Sequence, residues 1–236
     1  LCLMPWREFC LLNNCIALGL FCKVTLTIVS NSYIYLASQS PRRQELLKQI
    51  GVRFEMLAPD PGEHSESIEL PLPNEKARAY VERVTLAKSK AALVRWQKLQ
   101  LPWAPILCAD TTVSLPQSKD GEILGKPANE EDASRILSML SGKTHQVLTA
   151  VALTIQPNDA PLCLVNVSEV EFAPLSSEQI SAYIASREPF GKAGAYGIQG
   201  IGGTLIPSIR GSYSSIMGLP LFETSQLLDR AQVTRL

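Results

Sequence analysis

Tyr33-Ile34-Tyr35-Leu36-Ala37-Ser38-Gln39-Ser40-Pro41-Arg42-Arg43-Gln44-Glu45-Leu46-Leu47 is the stretch on which the fold turns. Its first four residues are aromatic or branched and read as a short buried strand. Small polar residues then break the run. Ser40 is a fitting N-cap and Pro41 suits the first helical position, so the spacing predicts a strand, a tight loop and a helix start. The first turn of a helix carries unpaired N–H groups and positive partial charge, yet Arg42 and Arg43 put two guanidinium groups at that end. Two readings stay open here. Either the arginines are solvated beside an ordinary cap, or they converge with backbone donors on a bound polyanion.

Working outward, Leu46, Leu47 and Ile50 give the helix an apolar edge and Gly51 ends it, after which Val52 to Leu57 alternates as a second strand. Ala58 to Asn74, rich in Pro, Gly, Glu and Ser, reads as a surface loop containing Glu63. Glu75 to Leu99 holds the longest helical pattern, with Tyr80, Val84, Ala87, Ala91 and Val94 on one face and Lys88 at its edge, Lys90 close by. Ile106 to Val113 is a nearly continuous apolar strand that stops at a carboxylate, Asp110. A carboxylate there is costly unless a cation, hydrogen-bond donors or cleft solvent compensate it; a structural aspartate capping a turn is the other reading.

Asp120-Gly121 predicts a hairpin turn, and Lys126 is fixed between Gly125 and Pro127 without the Gly-x-x-x-x-Gly-Lys-Ser/Thr pattern of a P-loop. Asn129 caps a helix with an acidic first turn, Thr144 to Ile155 and the run up to Phe172 form a pair of long strands, and Ser176 with Gln179 makes a capping box. Gly191 to Gly203 holds six glycines in thirteen residues, a density that suggests backbone packed closely against a ligand or another strand. Gln199 within it offers both a donor and an acceptor. Thr204 to Ile209 reads as a strand, and Pro220 opens the last helix. Strands and helices alternate throughout, as in an α/β fold.

With 22 basic and 22 acidic residues the net charge is zero, which argues against a protein that coats nucleic acid or anionic membrane. Any positive site must be local. The six cysteines show no zinc spacing, Cys108 and Cys163 read as small core residues, and neither His64 nor His145 has a recognisable metal or nucleophile partner set. The apolar run Cys15 to Cys22 is too short to span a bilayer. Residues 1–30 are expected to be an extension outside a single domain running over 31–236, and the protein to be cytoplasmic.

The string Leu-Ala-Ser-Gln-Ser-Pro-Arg-Arg-Gln-Glu-Leu-Leu resembles the N-terminal signature of the Maf family of nucleoside triphosphate pyrophosphatases. Ala109-Asp110-Thr111, Leu124-Gly125-Lys126-Pro127, Leu140-Ser141-Gly142-Lys143-Thr144-His145 and Ala193-Gly194-Ala195-Tyr196-Gly197-Ile198-Gln199-Gly200 follow in the family's order. The resemblance implies a two-lobed mixed β-sheet with flanking helices, similar to inosine triphosphatases, with a cleft between the lobes. It implies hydrolysis of dTTP and UTP to the monophosphate and pyrophosphate; the alternative is a nucleotide-binding regulator of cell division with little turnover. It assigns catalysis to Asp110, Glu63, Lys88 and Lys126, substrate binding to Ser38, Ser40, Arg42 and Arg43, and base choice to Arg42, Thr111 and Gln199. A divalent cation, Mg²⁺ or Mn²⁺, would be held by Asp110 and Glu63. A homodimer is implied by resemblance alone, and the expected partner is a nucleoside triphosphate, not a nucleic acid or a membrane.

Overall fold

The computed structural model describes residues 31–59, 68–115 and 122–235. Strand β1 (Ile34–Leu36) runs into helix α1 (Pro41–Gln49), with Ser40 at its N-cap and proline in its first turn, as the opening stretch predicts. The chain then passes through β2 (Phe54–Met56), the long helix α2 (Ala77–Lys98), β3 (Ile106–Leu115) and β4 (Glu122–Leu124). Helix α3 (Glu130–Leu140) precedes the strand pair β5 (Thr144–Thr154) and β6 (Leu162–Glu171). Helix α4 (Ser177–Ala185), short 3-10 turns at Ala193–Ala195 and Ile201–Leu205, β7 (Ser208–Arg210), α5 (Tyr213–Met217) and α6 (Leu221–Arg230) complete it.

One mixed sheet of seven strands forms the frame, in the order β2-β1-β3-β5-β6-β7 with β4 also on β3. Strands β1 and β4 share the same edge of β3 at its two ends. β1 pairs in parallel with Ile106 and Leu107, and β4 pairs antiparallel with Val113 to Leu115. Among the described residues, the stretch of β3 between these contacts has no strand partner on that edge. The gap sits beside Asp110.

Side chains alternate across β3, and each face has its own cover. Ile106 and Cys108 pack with Ala92 of α2 and with Tyr35, while Ala150, directly opposite Asp110, packs against Val81 and Val84 of the same helix. The Asp110 side chain therefore faces α2. On the other face there are two separate cores. Leu107, Ala109, Val151 and Leu153 pack with α1 and α6, whereas Val113, Leu115 and Val147 pack with α3 and α4. Between them stand Thr111 and Thr149, paired across the strands with their hydroxyls 2.9 Å apart. Each buried aliphatic side chain contributes roughly 1.5–3 kcal/mol, so a polar pair interrupting the apolar row divides the cover into two lobes.

Three expectations are corrected. The buried side of α2 includes Tyr80, Val81, Val84, Thr85, Ser89, Ala92 and Arg95, while Val94 is exposed. The polar members are buried because they are satisfied: Ser89 bonds Thr154, Thr85 bonds the Val81 carbonyl and Arg95 donates to the Leu57 carbonyl. An apolar pattern alone cannot find them. Thr204 to Ile209 is a 3-10 turn followed by a three-residue strand, with the Thr204 hydroxyl closing the turn on Ile201 and Pro207 lacking a ladder donor. Cys163 is only half-buried, although Cys108 is fully enclosed. Residues 1–30, Glu63, His64 and the Asp120-Gly121 turn lie outside the described residues.

Candidate active site

A cavity of about 850 Å³ opens where the edge of β3 is unpaired, within the usual range of about 300–1,000 Å³ for ligand sites. Ser38, Ser40, Arg42, Arg43, Lys88, Asp110, Thr111, Lys126 and Gln199 all line it. All of the residues expected to act that lie among the described ones are thus brought together; Glu63 lies outside them.

Arg42 and Arg43, adjacent in sequence, have different roles. The Arg43 guanidinium donates to the Gly218 carbonyl at 2.8 Å and to the Ser38 hydroxyl at 3.0 Å, tying α1 to the turn after α5. Burial depresses its pKa, with the Asp110 charge opposing that shift. Ser38 also accepts from the Ser40 N–H at 3.2 Å, whereas the Ser40 side chain makes no cap bond. Arg43 and Ser38 therefore shape the loop, and Arg42 makes no ion pair among the described residues.

Lys88 is held between two carboxylates, 2.6 Å from Asp110 and 2.7 Å from Glu69. Glu69 reaches on to Lys126 at 2.9 Å, so Asp110, Lys88, Glu69 and Lys126 form one alternating chain of charge. Burial pulls the Lys88 pKa down, but Asp110 and Glu69 outweigh it and hold the ammonium above its ordinary value. Burial pushes Glu69 up, and Lys88 with Lys126 bring it below the usual carboxylate range. Lys90, the neighbouring candidate, is exposed.

Glu69 was not foreseen: it sits in a polar loop whose composition resembles ordinary surface, and no motif marks it. Lys192 was also missed, although it lines the cleft. So was Glu188, whose carboxylate accepts from the Ile201 and Gly202 N–H groups at 2.8 and 2.9 Å and from the Tyr183 hydroxyl at 2.9 Å. These bonds overcome the upward effect of burial and keep its pKa low. They fold the glycine-rich segment into the wall that presents Gln199. That carboxamide is exposed at the rim and donates to Glu45 at 3.2 Å.

His145 is structural. Its Nε2 lies 2.8 Å from the Tyr196 hydroxyl, its ring stacks edge-on with Phe172 and Tyr196, and burial pushes its pKa down to about 4. Among the described residues no group of three or more His, Cys, Asp or Glu could hold a metal by itself, and no helix is long and apolar enough to cross a membrane.

The sequence family described as Maf-like protein matches residues 33–231. The dTTP/UTP pyrophosphatase of Burkholderia lata is 54% identical over 200 residues, 85% of this chain and 93% of that protein. That of Ralstonia nicotianae is 52% identical over 208 residues, covering 88% and 98%. The dTTP/UTP pyrophosphatase of Albidiferax ferrireducens is 53% identical over 200 residues, covering 84% and 96%. The solved structure of the Staphylococcus aureus Ham1 protein aligns with a TM-score of 0.37 at 13% identity over 60% of this chain and 72% of that one, too loosely to bear on the fold.

Proposed function

We propose, from the premise that this chain belongs to the Maf-like protein family, that it hydrolyses dTTP and UTP at the α–β anhydride to the monophosphate and pyrophosphate. The observation that carries the reading is a single cleft holding Asp110 against Lys88, with Arg42 and Lys126 on its walls. Relatives of nearly the same length named dTTP/UTP pyrophosphatase support the substrate class.

A triphosphate carries roughly four negative charges, so attack at its α-phosphorus needs those oxygens neutralised and a water aligned. Arg42, Lys88 and Lys126 supply the positive groups. Asp110 accepts the proton of the attacking water as the new P–O bond forms, and pyrophosphate departs with the electrons of the broken anhydride bond. Lys88, which donates to Asp110 at 2.6 Å, orients that carboxylate. Arg43 and Ser38 hold the loop in place. Gln199 and Thr111, with Arg42, read the pyrimidine edge, where a carboxamide can pair with N3–H and O4 together.

Asp110 and Glu69 offer the hard oxygen donors that Mg²⁺ or Mn²⁺ prefers, so these two carboxylates, now both bonded to Lys88, would hold such an ion, with Glu63 a further candidate ligand. A bound ion would supply additional charge neutralisation at the phosphates. The reaction belongs to the nucleotide pool of the cytoplasm.

The test is pyrophosphate release with Mg²⁺ from dTTP, UTP and GTP by the parent and by Asp110→Asn. The parent should favour the two pyrimidine substrates, and the variant should lose about 10²-fold or more in kcat. A parent that releases no pyrophosphate from either pyrimidine triphosphate, or a variant as active as the parent, refutes the reading.

A further inference from the structure

The cations of the cleft are not all equivalent. Lys88 and Lys126 are matched by Asp110 and Glu69, two positive groups against two negative ones in contact. Arg42 and Lys192 line the same cavity, and among the described residues no carboxylate forms an ion pair with either. The Lys192 ammonium instead donates to the Glu188 carbonyl. The Glu188 carboxylate is already engaged by two backbone N–H groups and the Tyr183 hydroxyl. Burial depresses the Lys192 pKa and the nearby Arg42 charge depresses it further, with only partial relief from Glu188.

Two like charges set together in a partly enclosed wall repel each other at a cost that an anion between them removes. The lysine is also held there. A Cβ on Gly197 would stand 3.0 Å from Lys192 Cε and 3.2 Å from Cδ, so its stem lies along the glycine-rich segment, with its ammonium bonded to the Glu188 carbonyl. Loop architecture places this charge at the cleft.

We infer that Lys192, together with Arg42, binds the polyphosphate of the substrate and forms the uncompensated positive wall of the cleft. This rests on the triphosphate reading above and adds a division of labour to it. The Arg42–Lys192 wall supplies ground-state affinity, whereas the self-neutralised Asp110–Lys88–Glu69–Lys126 chain surrounds the reacting centre. Lys192 then governs KM and Lys88 governs kcat.

The probe is inorganic tripolyphosphate, titrated calorimetrically at low salt into the full chain. Lys192→Gln keeps a donor for the Glu188 carbonyl without the charge, Lys192→Arg keeps the charge, and Lys48→Gln alters an exposed lysine on α1. Lys192→Gln should weaken tripolyphosphate binding about ten- to a hundredfold and raise KM for UTP similarly, with kcat within about twofold. Lys192→Arg and Lys48→Gln should stay within about threefold of the parent. A parent that does not bind tripolyphosphate, or a folded Lys192→Gln that binds as the parent does, overturns the assignment.

One measurement needs no variant. Acetylation of the parent, followed by mass spectrometry, should show Lys192 protected by tripolyphosphate and Lys48 not; equal labelling of Lys192 with and without the anion also overturns it. Protection of Lys192 in a protein that hydrolyses no triphosphate upholds the wall and sinks the hydrolysis. Normal hydrolysis by a folded Lys192→Gln with unchanged KM does the reverse.

Discussion

Lys88 and Lys90 stand two positions apart on one helix, and the turn of roughly 100° between successive residues sends the first into the cleft and the second to solvent. Pattern alone cannot separate two lysines so close in sequence; the contact with Asp110 does. Lys88→Met should lower kcat on UTP by about 10²-fold or more, and Lys90→Met should leave it within about twofold; equal losses in steady-state assays contradict the assignment. The same scale explains the histidine. Burial lowers the His145 pKa from 6.5 to about 4, so the unfolded chain takes up a proton in that interval and the folded one does not. Its contribution is intact above the unfolded value and is lost as pH falls from about 6.5 toward 4, up to about 3 kcal/mol. Urea titrations at pH 7 and pH 5 should show a steeper loss for the parent than for His145→Gln. Parallel losses in the two proteins mean that His145 is already accessible to protons.

At the scale of elements, the glycine-rich segment was legible as a close backbone approach to a ligand or another strand, and only the assembled structure separates the two. The neighbour is the protein itself. Gly194 has φ of +73°, and a Cβ there would stand 2.8 Å from Val113 Cγ2, on the strand that bears Asp110. Its N–H donates to the Gly125 carbonyl at 3.0 Å, one residue before Lys126, so this glycine joins two walls of the cleft. Gly194→Ala combines a strained φ with a clash against a branched side chain, and should cost about 2–4 kcal/mol in stability. A melting temperature unchanged from the parent shows that the segment can shift without penalty. The strand-loop-helix at Tyr33 to Leu47 was readable in full, because capping and proline placement are local rules. Glu69 was not, since its function arises only when a loop reaches two lysines from distant elements.

For the whole molecule, composition and alternation identified an α/β protein, and family resemblance supplied the two lobes. The physical origin of the lobes is visible only in the assembled sheet. Thr111 and Thr149 interrupt the apolar row, and β1 and β4 leave the middle of β3 open on one edge. Closure of this frame begins at Asn31. Its N–H donates to the Gln232 carbonyl, its carbonyl accepts from Thr234 and its side chain donates to Ala231 at 2.7 Å. The first and last described segments thereby clasp each other behind α6, and a further bridge joins Val52 to Arg235. The family match covers residues 33–231, inside that clasp. The boundary proposed at residue 31 predicts that a chain starting at Ser30, which keeps the clasp, melts within about 2 °C of the full protein and turns over UTP at the same rate. A chain that starts at Tyr33 loses Asn31 and with it the bonds to Ala231, Gln232 and Thr234. It should be less stable by about 1–3 kcal/mol, with kcat per folded molecule unchanged because Asn31 does not line the cleft. If removal of residues 1–29 destabilises the protein as much as the further loss of Asn31, the domain starts earlier than residue 31.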